Sequence, residues 1–375
     1  RGKGLTVVKL ERAAGEERGL PPALSAWMAP RPNTRDMLIF ARQMKMLLEA
    51  GSPLVPALEA IEQQTVKASF RKVLVEVRGE VEQGATLADA LARHEKVFSP
   101  IVTSMVAAGE STASLPEAFG RLSELTMRQS QMQRSVRGAL VYPALLTVLL
   151  TGVVAVLLGF VVPRFGVLFA NLDRELPFIT QMLLELSTAL RAHWPWVVGG
   201  LVAVVIGVVV AFRQPGLRDA LGKAMLAAPL IGPLLRRIEL ARILCIWAAL
   251  LRCHVPLLET IRQSARSASN PAFQRMVHDV EQAVAGGGRV GRALADSKLV
   301  EPVLAAAIST GEENSRMAEA GDFVAGWLGE ENAQAIAGLM RLAEPTMLAG
   351  MGVVVGFVAL ALFVPLFDVA TAASR

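Results

Sequence analysis

Enzymatic chemistry needs nucleophiles, metal ligands or carboxylates gathered at useful spacing, and this sequence supplies few of them. His94, His193, His254 and His278 stand isolated in sequence and read as surface or core residues, not as ligands. Cys245 and Cys253 fall in one helical stretch and read as small buried hydrophobes that stay reduced. The chain has no Walker-type phosphate loop, no HExxH, no GxSxG and no CxxC. No catalytic residue, cofactor or metal is expected, and the chain does not read as an enzyme.

The polar residues that do stand out come in pairs. Gly109-Glu110 and Gly311-Glu312 each read as a turn whose carboxylate faces a helix N-terminus, with partner binding as the alternative. Tyr142-Pro143 is matched by Glu344-Pro345. Each proline removes a backbone donor, so the carbonyls of Ala139 and Arg341 need other partners. The simple reading is a repeated kink, and the alternative is a coupling point, since Glu344 is the charge nearest the last apolar run. Gly352 and Gly356 form one GxxxG, which lets helices approach closely.

The pairing extends along most of the chain. Val81 to Ala92 aligns with Val284 to Ala295 at an offset of 203, and Phe70, Leu74 and Val77 meet Phe273, Val277 and Val280. Pro53-Leu54 meets Pro256-Leu257 at the same offset. After one deleted residue the offset is 202, and it brings Pro163 and Phe165 onto Pro365 and Phe367. Such self-similarity marks an internal repeat.

The elements that carry these pairs are unusually apolar. Of 375 residues 53% are hydrophobic and 19% charged, and the mean hydropathy is +0.45. Soluble proteins of this size carry about 25% charged residues. The excess lies in three uncharged runs, 138–163, 194–212 and 345–367, of 26, 19 and 23 residues. At about 1.5 Å per residue each can cross a hydrocarbon layer of about 30 Å. A fully buried core helix is the competing reading. None of the runs contains Asp, Glu, Lys, Arg or His, which argues against a transporter or channel, the alternative from another functional class.

Lys and Arg set the orientation. Arg121, Arg128, Arg134 and Arg137 precede the first run, and Arg213, Arg218, Lys223, Arg236, Arg237 and Arg242 follow the second. The stretch 164–193 has only Arg164, Arg174 and Arg191. The expected order is therefore an N-terminal linker 1–33, a cytoplasmic helical bundle 34–137, a transmembrane helix 138–163 and an outside loop 164–193. A second transmembrane helix 194–212, a second cytoplasmic bundle 213–344, a third transmembrane helix 345–367 and an outside tail 368–375 complete it. A unit of bundle plus outgoing helix can repeat in one orientation only if the chain returns between copies. The unpaired run 194–212 supplies that return.

The soluble segments read as all-α. Met37, Phe40, Met44 and Leu47 form one helical stripe, Thr86 and Asn270 stand at helix starts, and Ser114 to Glu117 fits a capping box leading into a stalk that runs on into the first apolar run. No segment alternates as a strand would. Residues 34–137 carry 13 basic and 12 acidic side chains, so no nucleic-acid partner is expected. The chain begins with Arg1, not Met, and a start upstream is expected.

These residues also carry a family likeness. Phe40-Ala41-Arg42-Gln43, Gly109-Glu110, Leu115, Ala139-Leu140-Val141-Tyr142-Pro143, Val162-Pro163-Arg164-Phe165 and Pro365-Leu366-Phe367-Asp368 form a pattern. It resembles the inner-membrane platform family of type II secretion and type IV pilus assembly, over about residues 34 to 370. The resemblance implies two cytoplasmic six-helix bundles and three spans, with the outside segments periplasmic, and no enzymatic activity. It also implies a place at the base of the machine, between a cytoplasmic assembly ATPase and pilin or pseudopilin subunits. The expected partners are the lipid bilayer, that ATPase, other inner-membrane machine components, the subunits and further copies of the chain. Phe367-Asp368 and the stalk residues Gln129, Gln131 and Gln133 lean toward the secretion branch, with the pilus branch as the alternative. Two departures stand out: Ala113 and Ser315 replace a glycine frequent after the Gly-Glu pair, and His254 occupies the position matching Gly51.

Overall fold

The computed structural model describes residues 32–170, 178–211, 222, 224–229 and 231–373, and every regular element among them is a helix. The linker expected at 1–33 lies outside the described residues except for its last two, as do Arg174, Arg213, Arg218 and Lys223. Two compact units divide the chain, the first ending at Gly120 and the second starting at Arg121.

The first unit holds α1 (Thr34–Glu49), α2 (Leu54–Gln64), α3 (Ala68–Glu82), α4 (Leu87–Ala92), α5 (Pro100–Ser111) and the opening residues of α6 (Leu115–Val156). Asn33 starts α1 through a capping box in which its side chain and that of Asp36 each accept the other's backbone N–H. Phe40 anchors the core, edge-on to Phe70 at 6.0 Å and to Phe119 at 5.8 Å, with Phe98 tilted against it at 5.7 Å. All four rings are almost fully buried, and such edge contacts add to the gain from area alone.

The second unit continues α6 and then forms a π-helical turn (Leu157–Val161), α7 (Val162–Ala170), α8 (Phe178–Ala211), α9 (Gly232–Arg252), α10 (Leu257–Ser267), α11 (Pro271–Ala285), α12 (Val290–Ala295), α13 (Pro302–Glu313) and α14 (Met317–Ala373). Helices α2 to α5 have 11, 15, 6 and 12 residues, and α10 to α13 have the same four lengths in the same order. Trp247 occupies the middle of this second core, where its indole N–H donates to Ser264 at 2.7 Å. It matches Met44, while Ile243, Val300 and Gly321 stand where the first core has Phe40, Phe98 and Phe119. Phe273 keeps the place of Phe70, and the single Trp247 stands in for the bulk of the other three rings.

The helix ends obey the same register. The described residues with positive φ are Gly51, Gly84, Ala113, His254, Gly287 and Ser315, which form three pairs at the repeat offset. Each is the residue after a helix C-cap. At Ala113, for example, Ser114 N–H reaches Gly109 O at 2.8 Å and Ala113 N–H reaches Glu110 O, the double bond of a Schellman motif. The same pair of bonds occurs around His254 and Ser315. The missing glycines therefore leave the turn unchanged; alanine, histidine and serine adopt the left-handed conformation at a cost of about 1–2 kcal/mol each.

Two stretches, Leu115–Gly166 and Met317–Val364, are long and apolar enough to cross a membrane, and only 11% and 17% of their most apolar windows are buried. That exposure argues against the core-helix reading for both, because a core helix hides its apolar surface. The segment 164–193, expected as a loop, is helical over 164–170 and again from 178, and residues 194–211 of the second run are the later part of α8. The loop expectation overlooked a helical stripe of Leu183, Leu184, Ser187 and Leu190, all at least partly buried.

The contacts of α8 solve a backbone problem. Pro365 lacks the N–H that would bond to Ala361 O, and Thr180 donates its hydroxyl to that carbonyl at 2.7 Å. In the π-helical turn Val162 N–H bonds to Leu157 O, so the next donor, for Leu158 O, falls on Pro163 and is missing. Ser187 donates to that carbonyl at 2.5 Å. Thr180 and Ser187 are each 1% exposed, among Leu158, Val162, Leu183, Val358, Ala361 and Leu362. An unpaired carbonyl there would cost several kcal/mol.

Thermal melts in detergent should read both devices. Ala113→Gly, His254→Gly and Ser315→Gly should each raise stability by about 1 kcal/mol, whereas Thr180→Val and Ser187→Ala should each lower it by about 0.5–2 kcal/mol. Equal melting of all five variants and the parent would refute these assignments.

Candidate functional site

The paired residues expected from sequence do come together, in two equivalent sites and one shared contact. Gly109-Glu110 does not form a turn, as expected from sequence, but lies in the last turn of α5, and Gly311-Glu312 likewise in α13; the turn follows at Ala113 and Ser315. The sequence reading misplaced it because Gly is itself a helix-ending signal. From its helical position the Glu110 carboxylate accepts the N–H groups of Leu87 at 2.6 Å and Ala88 at 2.9 Å, one on each oxygen. Glu312 does the same for Val290 and Gly291, both at 2.9 Å.

This contact serves a short helix that cannot satisfy its own first donors. Thr86 caps α4 through Asp89 N–H at 3.1 Å, and Glu110 takes the two donors before it. At α12 the capping position is Arg289, whose side chain makes no such bond, so Glu312 is the main acceptor. A charge-assisted pair of bonds to a helix N-terminus also meets the positive end of its dipole.

The glycine beside each carboxylate permits close approach of the next helix. A Cβ on Gly109 would stand 2.6 Å from Ala118 Cβ in α6, and one on Gly311 would collide with Ala320 Cβ in α14. Gly-Glu is thus a two-part joint: the glycine seats α5 against α6, or α13 against α14, and the glutamate fastens the preceding short helix. The glycine's part was not legible in sequence, since spacing does not show which helix crosses where.

Tyr142 and Glu344, the equivalent residues before the two prolines, meet each other. The Tyr142 hydroxyl donates to the Glu344 carboxylate at 3.2 Å, between side chains exposed at the foot of the apolar segments. Pro143 lies within α6 and Pro345 within α14, and both helices continue through them. Among the described residues Gly352 and Gly356 meet no neighbour within 4 Å of an added Cβ.

Nearer the soluble end, Asp322 accepts from Arg128 at 2.6 Å and from Arg252 at 2.9 Å. The pair borders a groove of about 640 Å³ between α6, α9 and α14, lined by Gln129, Gln131, Gln133 and Cys245 among others. Burial pushes the Cys245 thiol up from its ordinary value despite the nearby Arg128 guanidinium, so it stays protonated and weakly nucleophilic. No group of three or more His, Cys, Asp and Glu that could hold a metal occurs among the described residues.

Comparison with known proteins gives a match on both copies. The family described as "Type II secretion system (T2SS), protein F" matches residues 40–163 and 243–365. The chain is 32% identical over 338 residues to the type IV pilus assembly protein PilC of Myxococcus xanthus, covering 90% of this chain and 81% of that protein. It is 31% identical over 377 residues to the type II secretion system protein F of Xanthomonas campestris, covering 99% and 91%. With protein F of Vibrio cholerae it shares 30% over 286 residues, covering 76% and 70%.

The joint predicts a rescue. Gly109→Ala should destabilise by about 1–3 kcal/mol through overpacking, and adding Ala118→Gly should recover most of that loss. Chemical denaturation of the two variants checks it; a double variant no better than the single one would show that the Ala118 contact is not the reason for the glycine.

Proposed function

The chain belongs to the type II secretion system protein F family, and on that premise we propose that it is a non-catalytic inner-membrane platform of a type II secretion machine. In this reading it couples a cytoplasmic assembly ATPase to the assembly of pseudopilin subunits, and thereby to protein secretion. The observation that carries it is the double match, 40–163 and 243–365, each ending in an apolar stretch. Two helical bundles lie on the cytoplasmic side and three spans cross the membrane, with 194–212 as the return. The N-terminus is cytoplasmic and the C-terminus periplasmic. The positive flanks before 138 and after 212 support this orientation.

A scaffold of this kind needs defined surfaces rather than reacting groups. The Gly-Glu joints hold each bundle's short helix in place, and the Tyr142–Glu344 contact ties the two apolar helices together at one end. The expected partners are the ATPase, other inner-membrane machine components, the pseudopilins and further copies of this chain. A second reading, the platform of a type IV pilus, is favoured by the 32% identity to the Myxococcus xanthus pilus assembly protein.

Deletion of the gene should abolish secretion of the machine's substrates with the ATPase still present, and the detergent-solubilised protein should co-purify with that ATPase. Loss of surface pili with secretion intact would favour the pilus reading instead. Reporter fusions after residues 100 and 300 should both report the cytoplasm; opposite compartments would overturn the architecture.

A further inference from the structure

The first half of α8 has three faces, and only one of them is covered. At 100° per residue, Thr180, Leu183, Leu184, Ser187 and Leu190 share the face turned to the apolar helices, and each is buried or half-buried. Beside it, Phe178, Ile179, Met182 and Leu186 form an apolar flank that is 78%, 46%, 54% and 51% exposed. On the other side lie Gln181, Glu185 and Thr188, all exposed. A helix with an uncovered apolar flank next to a polar one fits the boundary between lipid and water.

Its direction follows from two hydrogen bonds. Thr180 reaches Ala361 of α14, and Ser187 reaches Leu158 of the π-helical turn. At the repeat offset Ala361 corresponds to Gly159, so the two carbonyls stand at almost the same level. The equivalent residues Tyr142 and Glu344 are in contact, which keeps the two apolar helices in register. Thr180 and Ser187 are about 10 Å apart along α8. The helix therefore reaches both apolar helices near one level, and Leu184 also comes against Gly166 in α7. That level is about 24 Å along the helix from Tyr142, near the far edge of a hydrocarbon layer of about 30 Å.

The kink completes the picture. His193 leaves helical geometry at φ −113° and ψ 15°, and Pro195 follows. The chain changes direction there, between the amphipathic segment and the uncharged run that begins at Trp194.

We propose that residues 178–192 form an interfacial helix embedded in the membrane leaflet opposite the helical bundles, with Phe178, Ile179, Met182 and Leu186 in its acyl layer. The occupant of the apolar flank is lipid, because Phe160, Leu360 and Phe363 on the two helices it touches are likewise exposed apolar surface. The proposal rests on the bilayer reading above. It replaces a periplasmic loop with a lipid-bound strut across two spans.

A nitroxide scan in vesicles of phosphatidylethanolamine and phosphatidylglycerol tests it. Single cysteines at 178, 179, 182 and 186, and at 181, 185 and 188, are introduced with Cys245→Ala and Cys253→Ala. Collision with oxygen and with a water-soluble nickel chelate is then measured. The oxygen-to-nickel ratio should be at least three-fold higher at the apolar set. Equal ratios in the two sets, whether both aqueous or both lipid-like, would overturn the proposal. Leu360→Cys and Val153→Cys are the controls: aqueous ratios there would sink the bilayer reading itself, while lipid-like ratios with an aqueous 178–188 sink only the interfacial helix. With the native cysteines kept, pulsed alkylation by a water-soluble maleimide, read by mass at the introduced site, should run at least ten-fold faster at Gln181→Cys than at Met182→Cys. Equal rates would again overturn the proposal.

Discussion

A main chain in an apolar layer has no water to fall back on, so every carbonyl a proline frees has to be given a donor by the protein itself. Pro163 and Pro365 each create that demand, and α8 answers both with hydroxyls two turns apart on one face, Thr180 and Ser187. The rest of the apolar packing follows from those bonds. They fix where α8 meets the two apolar helices and which side it buries. Helices built of Val, Leu and Ala could slide on one another with little change in energy; two directed hydrogen bonds define a single arrangement.

The helical units rest on a parallel economy. Short helices such as α4 and α12 have more orphan donors than internal bonds can absorb, and a glutamate more than twenty residues away supplies the acceptors. The arrangement works only if the helix bearing the glutamate comes close enough, which the adjacent glycine allows. Where the two units differ, the differences compensate. The first fills its centre with four phenylalanines and the second with Trp247 and smaller residues around it. The first caps α4 with Thr86 and the second leaves Glu312 as the main acceptor.

Much of this was legible in the sequence, and the limits have physical causes. Helix positions could be read because apolar stripes, caps and terminating residues recur at a fixed offset; Phe70 and Phe273, or Gly84 and Gly287, announce each other. That the carboxylates of Glu110 and Glu312 face a helix N-terminus could be expected from the charge alone, but which helix they serve, α4 and α12, could not, because those contacts span more than twenty residues. The crossing partners of Gly109 and Gly311 could not, since close approach is a property of two helices and spacing describes one. The π-helical turn was equally hidden, as one extra residue in a run of Leu, Gly, Phe and Val leaves the hydropathy unchanged. The helix from 178 was hidden because Glu185 and Arg191 break its apolar run, although its stripe has helical spacing. The platform role came from neither composition nor periodicity but from motif likeness, and the family match on both copies agrees with it.

The contact between Tyr142 and Glu344 has one more implication. Equivalent positions touch there, so two identical halves would have set phenol against phenol or carboxylate against carboxylate. The first pairing forms a weaker bond and the second repels. Divergence to one donor and one acceptor makes each half the complement of the other and a poor match for itself. The contact thus favours pairing of one half with the other over pairing of either half with its own copy.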